Sequence, residues 1–178
     1  MLEKYLQEHG LEPVQLEKEK LQSRVYTHRP DFTWEGVEVT RYKPQGDDWA
    51  GIVRQVIIGY REETKFHVRY FEIAPGGYSS LEKHEHSHAV TVIRGKGKAI
   101  LGDKAVELKF LDTVYVSPHT PHQFINDGEE AFGFLCVVDA ERDRPRPLDG
   151  DERARLEANP ETNGIVKTVK VTMLEEKQ

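Results

Sequence analysis

Residues 76–97, GGYSSLEKHEHSHAVTVIRGKG, hold the pattern on which the fold and the function of the chain both depend. Three histidines, His84, His86 and His88, occupy alternate positions in this stretch. The carboxylate of Glu82 precedes them by two residues, and an apolar run and two glycines follow. Neutral imidazoles and carboxylates on a stiff strand are ligands that divalent transition metals prefer. The stretch therefore predicts a metal site built on extended backbone.

Strand geometry limits which of these side chains can share one ion. Residues i and i+2 face one side of a strand about 6–7 Å apart, whereas residues i and i+4 lie about 13 Å apart. A straight strand therefore cannot bring His84, His86 and His88 to the same metal. We expect a bend at residues 85–87, because the uninterrupted apolar strand starts at His88. Glu82 and His84 then project from one strand and His88 from the next, while His86 lies in the turn.

The same spacing resembles the first motif of the cupin superfamily, which runs glycine, a His-x-His pair, a glutamate and a second glycine. Counted back from Gly95, the usual glutamate position holds His88. His84 is then the second member of the pair, and Glu82 is the first. The glutamate and one histidine have exchanged places, so the implied ligand set keeps its composition. In a second register His84 and His86 form the pair, and the third ligand is open.

Residues 111–126, LDTVYVSPHTPHQFIN, resemble the second cupin motif. Pro118, His122 and Asn126 match its proline, histidine and asparagine in order and spacing, whereas Leu111 stands at the usual leading glycine. By this resemblance His122 is a metal ligand and Asn126 holds a turn. Three histidines and one carboxylate suit one divalent transition metal, which could be Mn, Fe, Ni, Co or Zn. The ligand set that the resemblance implies is Glu82, His84, His88 and His122.

The chain around both motifs is predicted to be all-β. Many short apolar segments alternate with turn signals such as Pro75-Gly76-Gly77, and no βαβ pattern is visible between Val37 and Val138. This pattern is typical of an antiparallel sandwich or small barrel, and the resemblance implies the double-stranded β-helix, or jelly roll, of cupins. We predict three regions: an N-terminal helical extension (1–35), a cupin β-barrel (36–140), and a C-terminal linker with a helix and an edge strand (141–178).

Short helices are predicted near both termini. Leucines spaced among charged residues indicate helix within residues 2–24, and a second helix is expected over Asp149–Ala158 with Asp149 as its cap. Alternating valines and lysines predict a last strand over residues 164–173. The main predicted strands are residues 37–42, 52–60, 65–73, 98–101, 106–110, 113–117, 123–126 and 131–138.

Composition narrows the class of protein further. A length of 178 residues fits one domain, and the formal net charge of -6 argues against nucleic acid or an anionic membrane as a partner. We expect a small-molecule substrate, with a homodimer as a possible assembly. The first residues lack an apolar stretch long enough for a signal peptide or membrane helix, which predicts a cytoplasmic protein. The single cysteine, Cys136, lies in an apolar run and is predicted to be a buried, inert thiol.

The resemblance implies a metal-dependent enzyme. Our first hypothesis is a dioxygenase-like oxygenase for an enol, phenol or diketone, in which the metal holds O₂ and substrate together and Glu82 doubles as a general base. The alternatives are a sugar or sugar-phosphate isomerase or epimerase, and a non-enzymatic sensor that binds a metal and a small ligand. Arg54, Arg69 and Tyr70 lie on strands before the first motif. They either line the pocket, where they would bind a carboxylate or phosphate, or occupy exposed strand positions.

Overall fold

The computed structural model describes residues 23–43, 46 and 48–167. Nearly all of the predicted N-terminal helical region lies outside the described residues, as does the greater part of the predicted strand 164–173. Residues 164–167 are described, and they form a turn and a bend. The predicted division of the chain into regions 1–35, 36–140 and 141–178 stays a prediction.

Short strands make up most of the described part of the chain, and one helix follows them. The helix, α1, spans Gly150–Ala158. The strands within the described residues are β1 (Thr40–Arg41), β2 (Ala50–Ile58), β3 (Phe66–Tyr78), β4 (Glu82–Lys83), β5 (His88–Arg94), β6 (Gly97–Leu101), β7 (Lys104–Leu108), β8 (Thr113–Val116), β9 (His122–Ile125), β10 (Phe132–Asp139) and β11 (Arg146–Pro147).

The long strand β3 joins the two halves of a curled antiparallel sheet. It pairs with β2 on one side and β10 on the other, and its last residue, Tyr78, pairs with Ile125 of β9. The hydrogen-bonded path runs β11-β4-β9-β3-β10-β5-β8, with β6 and β7 attached at β9 and β1 attached at β2. The predicted all-β, antiparallel jelly-roll architecture is therefore confirmed.

Most predicted strand boundaries agree with the structure to within two residues, and β1 and β3 differ more. The predicted strand 37–42 is reduced to Thr40–Arg41. The predicted turn at Pro75-Gly76-Gly77 is wrong, because β3 continues through it to Tyr78. Gly76 has a φ of 77°, which glycine adopts without strain, and its N–H donates to the carbonyl of Asn126 over 2.9 Å. The glycine therefore bends a strand that stays paired.

The barrel interior is filled at one end by aromatic side chains. Phe134 packs against Phe71, Phe124 and Phe132 with ring centroids 4.8 to 5.7 Å apart. Buried valines and isoleucines of β2, β3, β5 and β8 complete this cluster. Such close packing excludes water from this end, so the polar side chains of the interior collect at the other end.

Two outer layers cover the faces of the sheet. Trp34, in the segment before β1, packs on Tyr70 with ring centroids 5.0 Å apart, so Tyr70 faces this outer layer and not the interior. On the other face, Leu156 of α1 packs against Leu81, Ile100 and Ile125. The helix is confirmed with its predicted cap, since Asp149 accepts the N–H of Glu152 over 2.8 Å. None of the helical structure in the described residues has the length and hydrophobicity to cross a bilayer.

Gly97, at the start of β6, provides a test of how tightly the aromatic end is packed. A Cβ added there would lie 2.4 Å from the ring of Phe132, which is fully buried against Phe134. We expect Gly97→Ala to lower the free energy of unfolding by about 1–3 kcal/mol, as overpacked cores do. Gly150→Ala is the matched control, because nothing lies within 4 Å of its added atom. Equal unfolding free energies of the two variants in urea would contradict this packing.

Candidate metal centre

Three histidines from separate parts of the chain meet in the barrel interior. His88 begins β5, His122 begins β9, and His84 directly follows β4. Pairing of Glu82 with His122 places β4 beside β9, and the predicted bend at residues 85–87 is confirmed as a bend at 85 and 86. The exposed fractions of His84, His88 and His122 are 3%, 8% and 3%. One nitrogen of each lies within 4.8 Å of the others, so these histidines can hold a metal ion.

Hydrogen bonds fix which nitrogen two of these rings present. Nδ1 of His84 lies 2.7 Å from the carbonyl oxygen of His86, and Nδ1 of His122 lies 2.9 Å from that of Thr120. A carbonyl only accepts, so both Nδ1 atoms carry the proton and both Nε2 atoms keep a free lone pair. Such a partner on the outer nitrogen is the usual arrangement of a metal-bound histidine.

The third ring contributes a nitrogen that lacks a partner. Nε2 of His88 is buried and, within the described residues, makes no hydrogen bond. An unsatisfied buried polar atom costs about 1–3 kcal/mol, so the site favours a ligand that accepts this lone pair. The three imidazoles fit a divalent transition metal in number, chemistry and burial.

Burial also keeps the three rings neutral. Burial, followed by repulsion from His122, lowers the pKa of His88 to about 2. Burial lowers the pKa of His122 to about 4, and it lowers the pKa of His84 as well. Metals bind the neutral imidazole, so protons do not compete for this site near neutral pH.

The structure does not bring Glu82 into this group of three. Its carboxylate is buried, and Oε2 lies 2.5 Å from Nζ of Lys43, which also donates to Oγ of Ser80 over 2.8 Å. Glu82 is the strand partner of His122, so its backbone lies beside the histidines. Its assignments as fourth ligand and as general base stay predictions.

His86, the ligand of the second register, also lies outside the group. Its ring stacks on that of His84 with centroids 3.6 Å apart, and its Nδ1 lies 2.6 Å from Oδ1 of Asp143. The carboxylate of Asp143 accepts the N–H groups of Glu85 and His86 as well. Burial raises the pKa of Asp143, but these hydrogen bonds outweigh it and hold that pKa well below its usual range. Nothing in the sequence pointed to Asp143 beyond its place in a charged linker.

The wall beside the histidines carries a thiol and a guanidinium group. Sγ of Cys136 lies 3.3 Å from Nδ1 of His88 and 3.1 Å from Nη2 of Arg69. The predicted burial of Cys136 is confirmed, with 2% of the residue exposed, whereas its predicted inertness stays a prediction. Arg69 lines the interior, where its guanidinium lies 5.0 Å from the ring centroid of Phe71. Sequence reasoning missed the contact between the thiol and the candidate metal ligand.

His67 lies two residues before Arg69 on the same face of β3. It is 2% exposed, its ring packs edge-on against Tyr60, and Nη1 of Arg142 lies 3.4 Å from its Nδ1. Burial, followed by the charges of Arg142, Arg69 and Arg54, lowers its pKa to about 4.

Comparison with known proteins identifies the family of the chain. A family model described as "Cupin domain" matches residues 69–138. The chain belongs to the cupin superfamily, as the resemblance predicts.

Individual relatives refine the comparison. The chain is 38% identical over 122 residues to a protein named 1-methylthio-D-xylulose 5-phosphate methylsulfurylase from Rhodospirillum rubrum, covering 67% of this chain and 78% of that one. A cupin 2 conserved barrel domain protein from Rhodopseudomonas palustris is 36% identical with a TM-score of 0.68, covering 74% and 90% of the two chains. A cupin 2 domain-containing protein from Halorhodospira halophila is 38% identical with a TM-score of 0.63, covering 83% and 98%.

The ligand set can be tested by metal analysis of protein purified without added metal. We expect His88→Ala and His122→Ala each to reduce the bound metal at least about tenfold relative to the wild type. Loss of a residue that only hydrogen-bonds a metal ligand already weakens metal binding about 10–100-fold, and loss of the ligand itself should weaken it at least as much. His119→Ala, at an exposed turn, is the control and should retain it. The variants Glu82→Ala and His86→Ala distinguish the two registers of the first motif. If metal is lost from the His86 variant and not from the Glu82 variant, the second register, with His84 and His86 as the pair, is right.

The low pKa of His67 predicts a pH-dependent stability. The pKa of His67 is about 4 in the folded chain and the ordinary 6.5 in the unfolded chain. Between these two pH values the imidazole is protonated in the unfolded chain and neutral in the folded chain, so stability falls as the pH falls through this window. Between pH 7 and pH 5 we expect the titration of this imidazole to lower the free energy of unfolding by about 1–2 kcal/mol. We expect His67→Gln to lose this part of the pH dependence of the unfolding free energy, measured by urea unfolding of metal-free protein. His119→Gln is the control, and an equally steep pH dependence in the two variants would contradict the prediction.

Proposed function

We propose that the protein is a metal-dependent enzyme that removes the methylthio group from a 1-methylthio ketose phosphate such as 1-methylthio-D-xylulose 5-phosphate. The likeness to a methylsulfurylase of R. rubrum supports this proposal. It favours the sugar-phosphate alternative over the oxygenase that was our first hypothesis, although the reaction proposed here is a group transfer and not an isomerisation.

The observation that carries the proposal is the thiol of Cys136, 3.3 Å from His88. Transfer of a methylthio group needs a sulfur nucleophile close to the bound substrate. An oxygen-activating metal has no need of a thiol, and a thiol in contact with one of its ligands would be exposed to oxidation. The contact therefore favours thiol chemistry at the site.

His84, His88 and His122 would hold the metal in this reaction. When bound, the metal would supply Lewis acidity, which polarises the ketone oxygen of the substrate and stabilises negative charge that develops there. The surrounding apolar side chains exclude water, which strengthens such electrostatic interactions.

Cys136 acts on the sulfur of the substrate. Its thiolate attacks the methylthio sulfur, so a sulfur–sulfur bond forms while the bond between carbon 1 and sulfur breaks. The electron pair of the broken bond passes to carbon 1 and delocalises onto the ketone oxygen as an enolate. A proton from water then gives the 1-deoxy ketose phosphate.

The cycle closes with a second thiol. After the transfer, Cys136 carries the methylthio group as a mixed disulfide, and a low-molecular-weight thiol must attack it to restore the cysteine. One substrate is thereby reduced at carbon 1 while the thiol is oxidised to a mixed disulfide, so atoms and electrons balance with this external reductant.

A single-turnover experiment tests this function. Metal-loaded protein incubated with 1-methylthio-D-xylulose 5-phosphate, without added thiol, should gain the mass of one methylthio group on Cys136 and lose it on treatment with dithiothreitol. We expect Cys136→Ser to keep its metal and lose at least about 10³-fold in turnover, since removal of a covalent nucleophile costs this much or more.

Two outcomes would reject the methylthio transfer. Turnover by Cys136→Ser at the wild-type rate would remove the cysteine from the reaction. Product formation that stops under strict anaerobiosis would restore the oxygenase hypothesis.

A further inference from the structure

We propose that Arg69 and Arg142 form a phosphate-binding subsite on the interior wall beside Cys136. This inference rests on the proposed function for the identity of the ligand, a ketose 5-phosphate, and on the geometry of the two guanidinium groups for the location. The sequence indicated Arg69 as one of several candidates, and it gave no reason to consider Arg142.

The two arginines lie along one face of the barrel wall. Side chains two residues apart on a strand share a face at about 6–7 Å, so His67 and Arg69 both face the interior from β3. Arg142, just after β10, reaches the same place, because its Nη1 lies 3.4 Å from Nδ1 of His67. Burial, followed by the neighbouring charge of Arg69, lowers the pKa of Arg142, which is consistent with two guanidinium groups close together.

Their positive charges have no carboxylate partner among residues 23–43, 46 and 48–167. Other arginines there form ion pairs, Arg94 with Glu72 and Arg146 with Glu85. Arg142 instead donates to the carbonyls of Asp139 and Ala140. Both residues are half-buried, and charge that is partly removed from water without a counter-charge is costly, so the arrangement favours an anion.

Arg69 also keeps an unused donor. Its Nη2 lies 3.1 Å from Sγ of Cys136, but its Nε is buried and makes no hydrogen bond in the described part of the chain. A guanidinium group presents donors in a planar fork that matches the oxygens of a phosphate. Two such groups supply enough donors for a dianionic phosphate monoester.

The subsite lies at a position that a ketose phosphate can use. Sγ of Cys136 contacts both Arg69 and the ring of His88, so the thiol connects the anion site to a candidate metal ligand. In a 1-methylthio pentulose 5-phosphate, the reactive sulfur and the phosphate sit at opposite ends of a five-carbon chain. Anchoring the phosphate would hold the carbonyl at the metal and carbon 1 near the thiol, which orients the reacting atoms.

Binding of an unreactive ligand tests the subsite apart from turnover. D-Xylulose 5-phosphate and D-xylulose lack the methylthio group and differ only in the phosphate. For the metal-loaded wild type, titration calorimetry should show binding of the phosphate ester at least about tenfold tighter than binding of the free sugar. Arg142→Gln and Arg69→Gln should each lose most of that preference, and Arg142→Lys should restore part of it.

Arg146→Gln is the matched control, because it removes the same charge from an exposed ion pair of the same segment. It should keep the wild-type preference, and all variants should keep the wild-type metal content. Competition by inorganic phosphate in the wild type but not in Arg142→Gln would show that the phosphate group itself is recognised.

The outcomes separate this inference from the proposed function. Equal affinity of the wild type for the ester and the free sugar, or an equal loss of both in the arginine variants, would overturn the subsite. A retained preference for the ester in protein whose Cys136 never accepts a methylthio group would support the subsite and overturn the methylthio transfer.

Discussion

The candidate metal centre depends on one constraint. Its three imidazole rings, those of His84, His88 and His122, are buried together and must stay uncharged. Burial disfavours a proton on any one of them, and so do the neighbouring rings, so the pKa values of His88 and His122 are lowered. The outer nitrogens of His84 and His122 are tied to backbone carbonyls, which leaves the inner nitrogens as acceptors only. Two inward lone pairs therefore lie beside the unpartnered Nε2 of His88, and a cation is the ligand that satisfies such a cluster.

Polar and apolar groups are separated along the barrel, and this separation gives the interior its chemical character. Packed phenylalanine rings fill one end, and the histidines lie at the other. There the site is asymmetric, with imidazoles on one side and the thiol of Cys136 and the guanidinium of Arg69 next to them. A substrate with a polarisable carbonyl, a reactive sulfur and an anionic end would find a different partner for each part.

Sequence spacing predicted most of the elements, because those depend on local periodicity, and the resemblance to the two cupin motifs implied the three histidines that the fold brings together. Alternation and turn residues located the strands, and the cap at Asp149 located the helix. The bend after His84 followed from the reach of a strand. What the sequence could not show were contacts between distant residues, such as Asp143 with His86 or Cys136 with His88, which are 57 and 48 positions apart. The continuation of β3 past Gly76 was missed for the same reason, since pairing with residues near Asn126 outweighs the local turn signal.

The segment that follows the barrel contacts the loop that carries His86 and the short strand β4. Asp143 accepts a hydrogen bond from the backbone N–H of His86. Strand β11 pairs with β4, and Lys83 of β4 forms an ion pair with Glu152 of α1. The region matched by the family model ends at residue 138, before all of these contacts. A barrel excised at that boundary would keep every candidate histidine and lose the hydrogen bonds of Asp143 to Glu85 and His86.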